Sequence, residues 1–346
     1  MLAISLIKNG DLKLLNKGLK KLKPNMYRVK VLYSGICSSD IPRAFKKGAY
    51  NYPLVMGHEI SGVIIKKGSK TNKYNINDYV SIYPLIPNCK NCNECKNENY
   101  NLCEKYSYYG SRQDGGFSEF IDVNEWNIYK LNKKINMKLA SLIEPTAVAY
   151  NTFQKVPSKL KDKKILIIGC GFLGQILTRI LYENNYKNLT CIDRNKFKLD
   201  YLKNFSKKLI CGDLNLLKNS KFDCIVDFIG IKKTLDFSLT NLKPKGRLVL
   251  PANIYENYCF QKDKINLIAR KELEISGVWN SIHLGKKSHW SLAERFLIRN
   301  YDNIQRVISH EIELSDAINF FNFLNNYKKN KKNKNNYLKA IIRNSF

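Results

Sequence analysis

The sequence of 346 residues contains no long apolar run and few acidic side chains. No stretch reaches the ~18 uninterrupted apolar residues that a membrane-spanning helix needs. The first apolar run, Leu2 to Ile7, is interrupted by Lys8 and is too short for the apolar core of a secretory signal. We therefore expect no membrane partner and a cytoplasmic location.

Arginine is scarce as well. The chain has 11 Arg and 48 Lys against 29 acidic residues, which gives a formal net charge of +30. A charge of this size raises nucleic acid as a possible partner. Arg, which is better suited than Lys to forked phosphate contacts, is however the minor cation, and the Lys residues are scattered. We therefore expect no nucleic-acid partner.

The remaining composition is that of a folded protein, because 44% of the residues are hydrophobic. Residues 1 to about 125 contain short alternating segments between turns, such as Tyr27–Tyr33, which predict a barrel-like β domain. From about residue 140, strands alternate with helices, and Lys164–Gly169 followed by Phe172–Glu183 is one example. This alternation predicts a doubly wound parallel sheet, so the expected fold class is α/β. The Lys- and Asn-rich segment Asn325–Asn336 is expected to be a solvated loop, and Leu338–Arg343 a final strand.

Four of the ten cysteines follow the spacing C-x2-C-x2-C-x7-C, at Cys89, Cys92, Cys95 and Cys103. Four converging thiolates close a tetrahedron around zinc and leave no open position, so this spacing favours a structural zinc. An iron–sulfur cluster is the alternative, but ferredoxin runs place the fourth cysteine closer and before proline.

A second constellation comprises Cys37, the pair His58 and Glu59, and Glu144. Each residue alone is typically structural: a small buried thiol, a core histidine or a helix start. Together they offer one thiolate, one imidazole and one or two carboxylates. Mixed ligands of this kind with an exchangeable position are typical of a catalytic zinc.

The segment from Gly169 to Gly174 is G-x-G-x-x-G, with Gly171 as the middle glycine and Phe172 and Leu173 between the last two. It follows a predicted strand and opens a predicted helix, which is the context of a dinucleotide-binding loop. We expect these five residues to bind the cofactor.

The end of the next predicted strand carries Asp193 and Arg194. An acidic residue at this distance accepts the ribose 2′-hydroxyl of NAD and repels a 2′-phosphate. NAD is therefore favoured over NADP, although Arg194 offers a charge that could hold that phosphate.

The chain resembles the zinc-dependent medium-chain dehydrogenases over nearly its whole length, in their polyol branch and most closely the dehydrogenases of polyol phosphates. The resemblance rests on the segments Gly35–Phe45, Gly57–Glu59, Tyr109–Phe120, Ile143–Pro145 and Gly277–Trp279. It implies a GroES-like β catalytic domain over residues 1–148 with a zinc lobe at about 86–106. A Rossmann domain over 149–279 and a C-terminal return to the first domain over 280–346 would follow. It also implies a homodimer or homotetramer.

The resemblance further implies two zinc ions per chain. The catalytic zinc is expected on Cys37, His58 and Glu144, with Glu59 entering the coordination shell or lying just behind it. The structural zinc is expected on the four cysteines of the lobe. The sequence departs from the family pattern at three places, one of which is Ser38 in place of glycine. None of these departures removes a metal ligand or a cofactor glycine.

The implied activity is reversible oxidation of a secondary alcohol of a polyol or polyol phosphate by NAD, which gives a ketose or ketose phosphate. Zinc would act as a Lewis acid and NAD would accept the hydride. Ser39 would start the proton relay and Asp40 would orient the zinc-bound imidazole. Arg43, on the loop after the zinc cysteine, is the candidate phosphate anchor.

Three alternatives remain at this stage. The same scaffold could oxidise a free polyol of the sorbitol or L-iditol type, or threonine. A basic zinc-containing nucleic-acid-binding protein would instead gather Arg and aromatic residues near the cysteines, whereas this loop carries Glu94, Glu98 and Glu104. A zinc-free relative acting as a quinone reductase would lack the metal ligands that are present here.

Overall fold

The computed structural model describes residues 1–89, 91–217, 220–254, 257–259, 261–285, 288–329 and 336–344. The chain divides into a first unit, residues 1–145 with 282–346, and a second unit, residues 146–281. The sequence places the boundaries at 148/149 and 279/280, a few residues away. We propose that these two units are the domains of the protein and that the C-terminal segment completes the first.

The elements follow one another along the chain as strands and helices. The strands are β1 (Leu2–Lys8), β2 (Asp11–Asn16), β3 (Met26–Ile36), β4 (Leu54–Val55), β5 (Glu59–Lys67), β6 (Tyr79–Ile82), β7 (Leu85–Pro87), β8 (Tyr106–Tyr108), β9 (Phe120–Asn124), β10 (Ile128–Lys130), β11 (Lys164–Ile168), β12 (Asn188–Ile192), β13 (Ile210–Gly212), β14 (Phe222–Asp227), β15 (Leu242–Leu250), β16 (Glu274–Gly277), β17 (Ile308–Glu313) and β18 (Lys339–Arg343). The α-helices are α1 (Asp40–Pro42), α2 (Asn93–Lys96), α3 (Met137–Ala140), α4 (Ile143–Gln154), α5 (Phe172–Glu183), α6 (Lys196–Phe205), α7 (Lys232–Asn241), α8 (Lys262–Arg270), α9 (His289–Arg299), α10 (Tyr301–Gln305) and α11 (Ala317–Lys329). A π-helical turn, Arg43–Lys47, follows α1 directly, and short 3₁₀ turns occupy several loops.

The first unit is built around the long strand β3. The main sheet has the order β10-β6-β5-β3-β18-β17, with β9 also paired to β3, and a smaller sheet has the order β2-β1-β4. Alternate side chains of β3, among them Val29 and Val31, are fully buried against β5, β6 and β9. The predicted β domain is thereby confirmed.

The second unit is a parallel sheet in the order β13-β12-β11-β14-β15-β16. Successive side chains of β11 point to opposite faces: Ile165 and Ile167 pack in one apolar cluster, Leu166 and Ile168 in another. Both faces are therefore buried under helices, as a doubly wound sheet requires. The strand order reverses at β11, the topological switch point at which such folds bind ligands. The predicted α/β fold class is confirmed.

The C-terminal segment returns to the first unit. β18 lies antiparallel to β3, with Ala340 opposite Ile36 and Ile342 opposite Ser34. The predicted loop over 325–336 is wrong in its first part, because α11 continues to Lys329. Burial of Phe321 on the apolar face of α11 stabilises the helix beyond the point where the Lys- and Asn-rich sequence begins. Residues 330–335 of that segment lie outside the described residues.

Among the helices in the described part of the chain, none combines the length and the apolar character required to cross a bilayer.

Core truncations test the proposed division into two domains. Ile342 is buried in the first unit and Ile165 in the second, so replacing either with Ala should cost about 2–5 kcal/mol of stability through lost contacts and a cavity. Peptide-resolved hydrogen exchange should show faster exchange in β3 and β18 for Ile342→Ala, and in β11 for Ile165→Ala. Acceleration over the whole chain in both variants would contradict two separate folding units.

Candidate metal centres and cofactor site

Strand pairing brings three potential metal ligands together. Cys37 follows β3, His58 and Glu59 stand at the start of β5, and Gly35 lies opposite Glu59 in the β3–β5 register. The thiol, one imidazole nitrogen and one carboxylate oxygen all lie within 4.8 Å of one another. His58 and Glu59 are buried and Cys37 is half-buried. We call these three residues the ligand group. Their donor chemistry fits zinc, as the sequence predicts.

Asp40 stands directly behind the ligand group. It is fully buried; its Oδ2 accepts a hydrogen bond of 2.9 Å from the Cys37 N–H, and its Oδ1 lies 3.5 Å from Nδ1 of His58. Burial alone would raise the pKa of Asp40, but the charge and hydrogen bond of His58 outweigh it and lower that pKa. A carboxylate on Nδ1 directs Nε2 of the ring toward a metal, which is the orienting role that the sequence resemblance implies.

The surroundings of His58 favour positive charge. Burial opposes the charged imidazole, yet the carboxylate of Asp40 and the thiol of Cys37 outweigh it and raise the pKa of His58 well above its usual value. Groups that stabilise a proton at this point also stabilise a metal cation.

Glu144 lies at the start of α4 and is buried, but it is not among the three residues whose ligand atoms lie within 4.8 Å of one another. Its Oε1 instead accepts a hydrogen bond of 3.3 Å from the hydroxyl of Tyr108. Burial raises the pKa of Glu144 to about 7, although the charge of His58 opposes the increase. The structure therefore places this expected ligand within electrostatic range of the group but not in it.

Lys339 on β18 contacts the ligand group, and the sequence offers no local signal for it. Its ammonium group forms an ion pair with the carboxylate of Glu59 and donates a hydrogen bond of 3.0 Å to the carbonyl of Ile36. Only 3% of Lys339 is exposed, so the pair is inaccessible to water. A Cβ on Gly35 would lie 1.9 Å from Oε2 of Glu59, so glycine is required at that position.

One oxygen of Glu59 is available to a metal. Its Oε1 is buried and accepts no hydrogen bond from any residue in the described part of the chain. Buried carboxylate oxygens are normally satisfied, so this atom fits the zinc that the residue types suggest.

The four cysteines of the predicted structural site converge. Their sulfur atoms all lie within 4.8 Å of one another, with Cys89 Sγ 3.3 Å from Cys103 Sγ and 3.9 Å from Cys95 Sγ. A tetrahedral site with Zn–S distances of ≈ 2.3 Å requires sulfurs about 3.8 Å apart. Hydrogen bonds from the backbone N–H groups of Cys92 and Asn91 lower the pKa of Cys89 to about 6, which favours the thiolate that zinc needs. The set fits a closed zinc site.

The glycine loop lies where the second unit's strand order reverses. Gly169 has φ +94°, and a Cβ on Gly174 would lie 2.1 Å from the carbonyl oxygen of Gly169. A Cβ on Gly171, by contrast, would meet nothing within 4 Å, so a pyrophosphate can approach the backbone there. Helix α5 begins at Phe172, and the N–H groups of its first turn, including that of Leu173, point toward such an anion.

Asp193 lies against this loop. Its Oδ2 accepts a hydrogen bond of 2.9 Å from the Cys170 N–H and its Oδ1 one of 2.9 Å from the Asn195 N–H. Arg194 is exposed, and Nζ of Lys198 lies 3.9 Å from the carboxylate. The structure thus brings the glycine motif and the acidic residue together, with cations beside them.

Ser39 and Arg43 are joined by one turn of backbone. Ser39 is the half-buried N-cap residue of α1, and its carbonyl accepts a hydrogen bond of 3.3 Å from the Arg43 N–H. Ser39 thus stands two residues after Cys37. Arg43 is the first residue of the π-helical turn that follows α1.

Comparison with known proteins identifies the family to which the chain belongs. Residues 23–133 match the family described as "Alcohol dehydrogenase GroES-like domain". Galactitol 1-phosphate 5-dehydrogenase of Escherichia coli K12 is 31% identical over 293 residues, which is 82% of this chain and 84% of that protein. L-threonine 3-dehydrogenase of Pyrococcus horikoshii is 27% identical over 325 residues, 90% of this chain and 91% of that protein. The crystal structure of galactitol-1-phosphate dehydrogenase from Escherichia coli superposes with a TM-score of 0.86 at 27% identity, over 99% of this chain and 100% of that chain.

A GroES-like β domain and a Rossmann sheet, with a thiol, an imidazole and a carboxylate converging in the first, define a zinc-type dehydrogenase. The chain belongs to the zinc-dependent medium-chain alcohol and polyol dehydrogenases. The family resemblance drawn from the sequence is confirmed.

The Lys339–Glu59 pair can be tested by a double-mutant cycle. Lys339→Met leaves the Glu59 carboxylate buried without its cation, so it should lower the free energy of unfolding of the first unit by about 3–5 kcal/mol. Lys339→Met combined with Glu59→Gln should recover most of this loss. Urea unfolding followed at the first unit gives both values, and additive effects of the two substitutions would show that the pair is not coupled.

Proposed function

We propose that the chain oxidises a secondary alcohol of a polyol or polyol phosphate with NAD and releases a ketose or ketose phosphate. The observation that supports this most directly is the ligand group of Cys37, His58 and Glu59 beside the buried Asp40. Membership of the polyol dehydrogenases gives the reaction class, and the relative at 31% identity motivates the phosphorylated substrate.

Two zinc ions per chain complete this proposal. The lobe of Cys89, Cys92, Cys95 and Cys103 would hold one for stability, because four thiolates leave no open position. The ligand group would hold the other, with Glu144 as the additional carboxylate that the family resemblance assigns to that site. When bound, zinc supplies a Lewis acid for the alcohol oxygen, and NAD accepts the hydride.

The chain's own residues prepare the reaction. Asp40 fixes the imidazole of His58 with Nδ1 toward the carboxylate, and Lys339 holds Glu59 in place. Ser39 stands two residues after Cys37, at the N-cap of α1, and its Oγ would accept the proton of the substrate hydroxyl while passing its own proton on to solvent. The glycine loop at Gly169–Gly174 would hold the pyrophosphate of NAD on the first turn of α5.

Metal analysis combined with activity assays tests the proposal. The protein as purified should contain two zinc ions and reduce NAD with polyols or polyol phosphates. Cys37→Ser should retain one zinc and lose activity, and Cys95→Ser should lose the other zinc. Cys259→Ser, at an exposed thiol outside both sets, should retain both and serves as the matched control.

Ser39→Ala extends this test to the proton path. It should keep both zinc ions but lower kcat by about 10²–10⁴, the usual contribution of a positioned proton acceptor. One zinc or none in the unmodified protein would overturn the catalytic assignment. Turnover of threonine alone would replace the polyol by a hydroxy amino acid on the same scaffold.

We also propose NAD rather than NADP as the cofactor, because Asp193 follows the strand after the glycine loop and its carboxylate, which accepts a hydrogen bond from the Cys170 N–H of that loop, would repel a 2′-phosphate. Asp193→Ala should shift the ratio of kcat/KM for NAD over NADP toward NADP by at least about tenfold, since like charges placed together cost several kcal/mol. Asp200→Ala, on the adjacent helix α6, is the matched control. An unchanged ratio would leave Arg194 and Lys198 as the deciding charges and contradict the assignment.

The cytoplasmic location and the dimeric or tetrameric assembly remain predictions from the sequence.

A further inference from the structure

Arg112 is held between two tyrosine rings in the first unit. Its guanidinium carbon lies 4.6 Å from the ring centroid of Tyr50 and 4.2 Å from that of Tyr106. Its Nη1 donates a hydrogen bond of 2.5 Å to the carbonyl of Tyr106. Stacking on two rings fixes the plane of the guanidinium group, so its remaining N–H donors keep one direction.

Arg43 and Lys47 bring further positive charge to the same point. A hydrogen bond from Arg112 is the main cause that lowers the pKa of Tyr50 below its usual value. The positive charges of Arg43 and Lys47 act in the same direction, so both reach the phenol of Tyr50. We call Arg43, Lys47, Arg112 and Tyr50 the basic cluster. Tyr50 is 66% exposed, so an anion can reach the cluster from solvent.

The guanidinium group of Arg43 has an unsatisfied donor. Its Nε is buried and has no hydrogen-bond acceptor among the residues that the structure describes. A buried donor without an acceptor costs roughly 1–3 kcal/mol, so such groups normally have a partner. The carboxylates on the same two segments have other partners: Asp40 accepts from the Cys37 N–H through Oδ2 and faces His58 with Oδ1, and Asp114 accepts from the Val55 N–H and pairs with Lys17. A bound anion would supply the missing acceptor.

The basic cluster is connected to the ligand group along both of its segments. The Arg43 N–H donates to the carbonyl of Ser39, in the turn that follows Cys37. The Arg112 N–H donates 2.9 Å to the carbonyl of Tyr108, whose ring lies 5.7 Å from that of His58. Each segment that carries an arginine of the cluster thus also carries a residue that follows or contacts the ligand group.

We propose that Arg43, Lys47 and Arg112, with Tyr50 beside them, bind the phosphate monoester of a polyol phosphate whose secondary alcohol is oxidised at the ligand group. This inference rests on the proposed function and specifies its substrate class.

Phosphate fits the cluster better than other groups do. A phosphate monoester carries a charge of −1.5 to −2 at pH 7 and three acceptor oxygens, which match two guanidinium forks and an ammonium. A carboxylate offers one charge and two oxygens, and a free polyol offers no charge to the two guanidinium groups. Only 11 of the 59 basic residues are Arg, yet the positive charges of two of them act on Tyr50.

Kinetics with paired substrates test the inference. The zinc-loaded protein is assayed with NAD on galactitol, sorbitol and their monophosphates. We expect kcat/KM at least about tenfold higher for a phosphorylated polyol. Arg112→Gln or Arg43→Gln should lower the ratio of phosphorylated to free polyol by about 10- to 100-fold, which is the effect of one charged hydrogen bond of ≈ 1.5–3 kcal/mol. Arg112→Lys should fall in between, because it keeps the charge but not the stacked fork. Arg306→Gln removes an exposed charge elsewhere in the first unit and should leave the ratio unchanged.

A binding arm separates failure of this inference from failure of the proposed function. Calorimetry at fixed ionic strength should show that a polyol monophosphate binds the unmodified protein more tightly than the free polyol does, with the difference lost in Arg112→Gln and retained in Arg306→Gln. The phosphate site would be overturned if the variants kept the kcat/KM ratio of the unmodified protein and if phosphorylated and free polyol bound with equal affinity. The assignment as a polyol dehydrogenase would be unaffected by that result. A preference for polyol carboxylates over phosphates would also overturn it. Absence of turnover on every polyol would overturn the proposed function, and the calorimetric comparison would still decide the phosphate site.

Discussion

The buried ion pair between Lys339 and Glu59 ties the candidate zinc site to the sheet of the first unit. Glu59 stands on β5, Lys339 on β18, and β3 between them supplies the carbonyl of Ile36 and the space beside Gly35. A buried ion pair is stabilising only when its geometry is good and its remaining groups are satisfied. Here the second acceptor of the ammonium is a backbone carbonyl, and the second oxygen of the carboxylate is left for a metal. The cation that neutralises Glu59 is therefore in place only when β18 has paired with β3.

Features with short sequence spacing could be predicted from the sequence. The four cysteines between 89 and 103 and the glycines between 169 and 174 each lie in one loop, so their spacing determines which atoms can converge. The alternation of strand and helix after residue 140 likewise predicts the parallel sheet, because each strand is followed directly by the helix that covers it.

Features that depend on contacts between distant segments could not be predicted in this way. Nothing in the local sequence of Lys339 distinguishes it from 47 other lysines, and only the pairing of β18 with β3 places it against Glu59. Arg112 drew attention only as part of a family-like segment, and its stacking depends on the loop that carries Tyr50. Glu144 shows a related limit: its residue type fits a ligand, but its carboxylate accepts a hydrogen bond from Tyr108 in this structure, so its place at the zinc remains a prediction.

The net charge of +30 has different consequences at different points of the surface and core. Most of the lysines add to a diffuse field, which salt screens within about 10 Å. The ligand group contains the buried carboxylate of Glu59 and has that of Asp40 directly behind it, and so favours a cation. The basic cluster includes Arg43, at the end of the turn that starts at Cys37, and favours an anion. With a phosphorylated substrate bound as proposed, the turn from Cys37 to Arg43 would set the separation between the reacting alcohol and the phosphate. Strand pairing fixes the first of these points, whereas the loops that carry Tyr50 and Arg112 fix the second. Under the proposed function, the reaction depends on strand pairing and the substrate range on these loops. The two parts are coupled at Tyr108, whose carbonyl accepts a hydrogen bond from Arg112 and whose ring contacts that of His58.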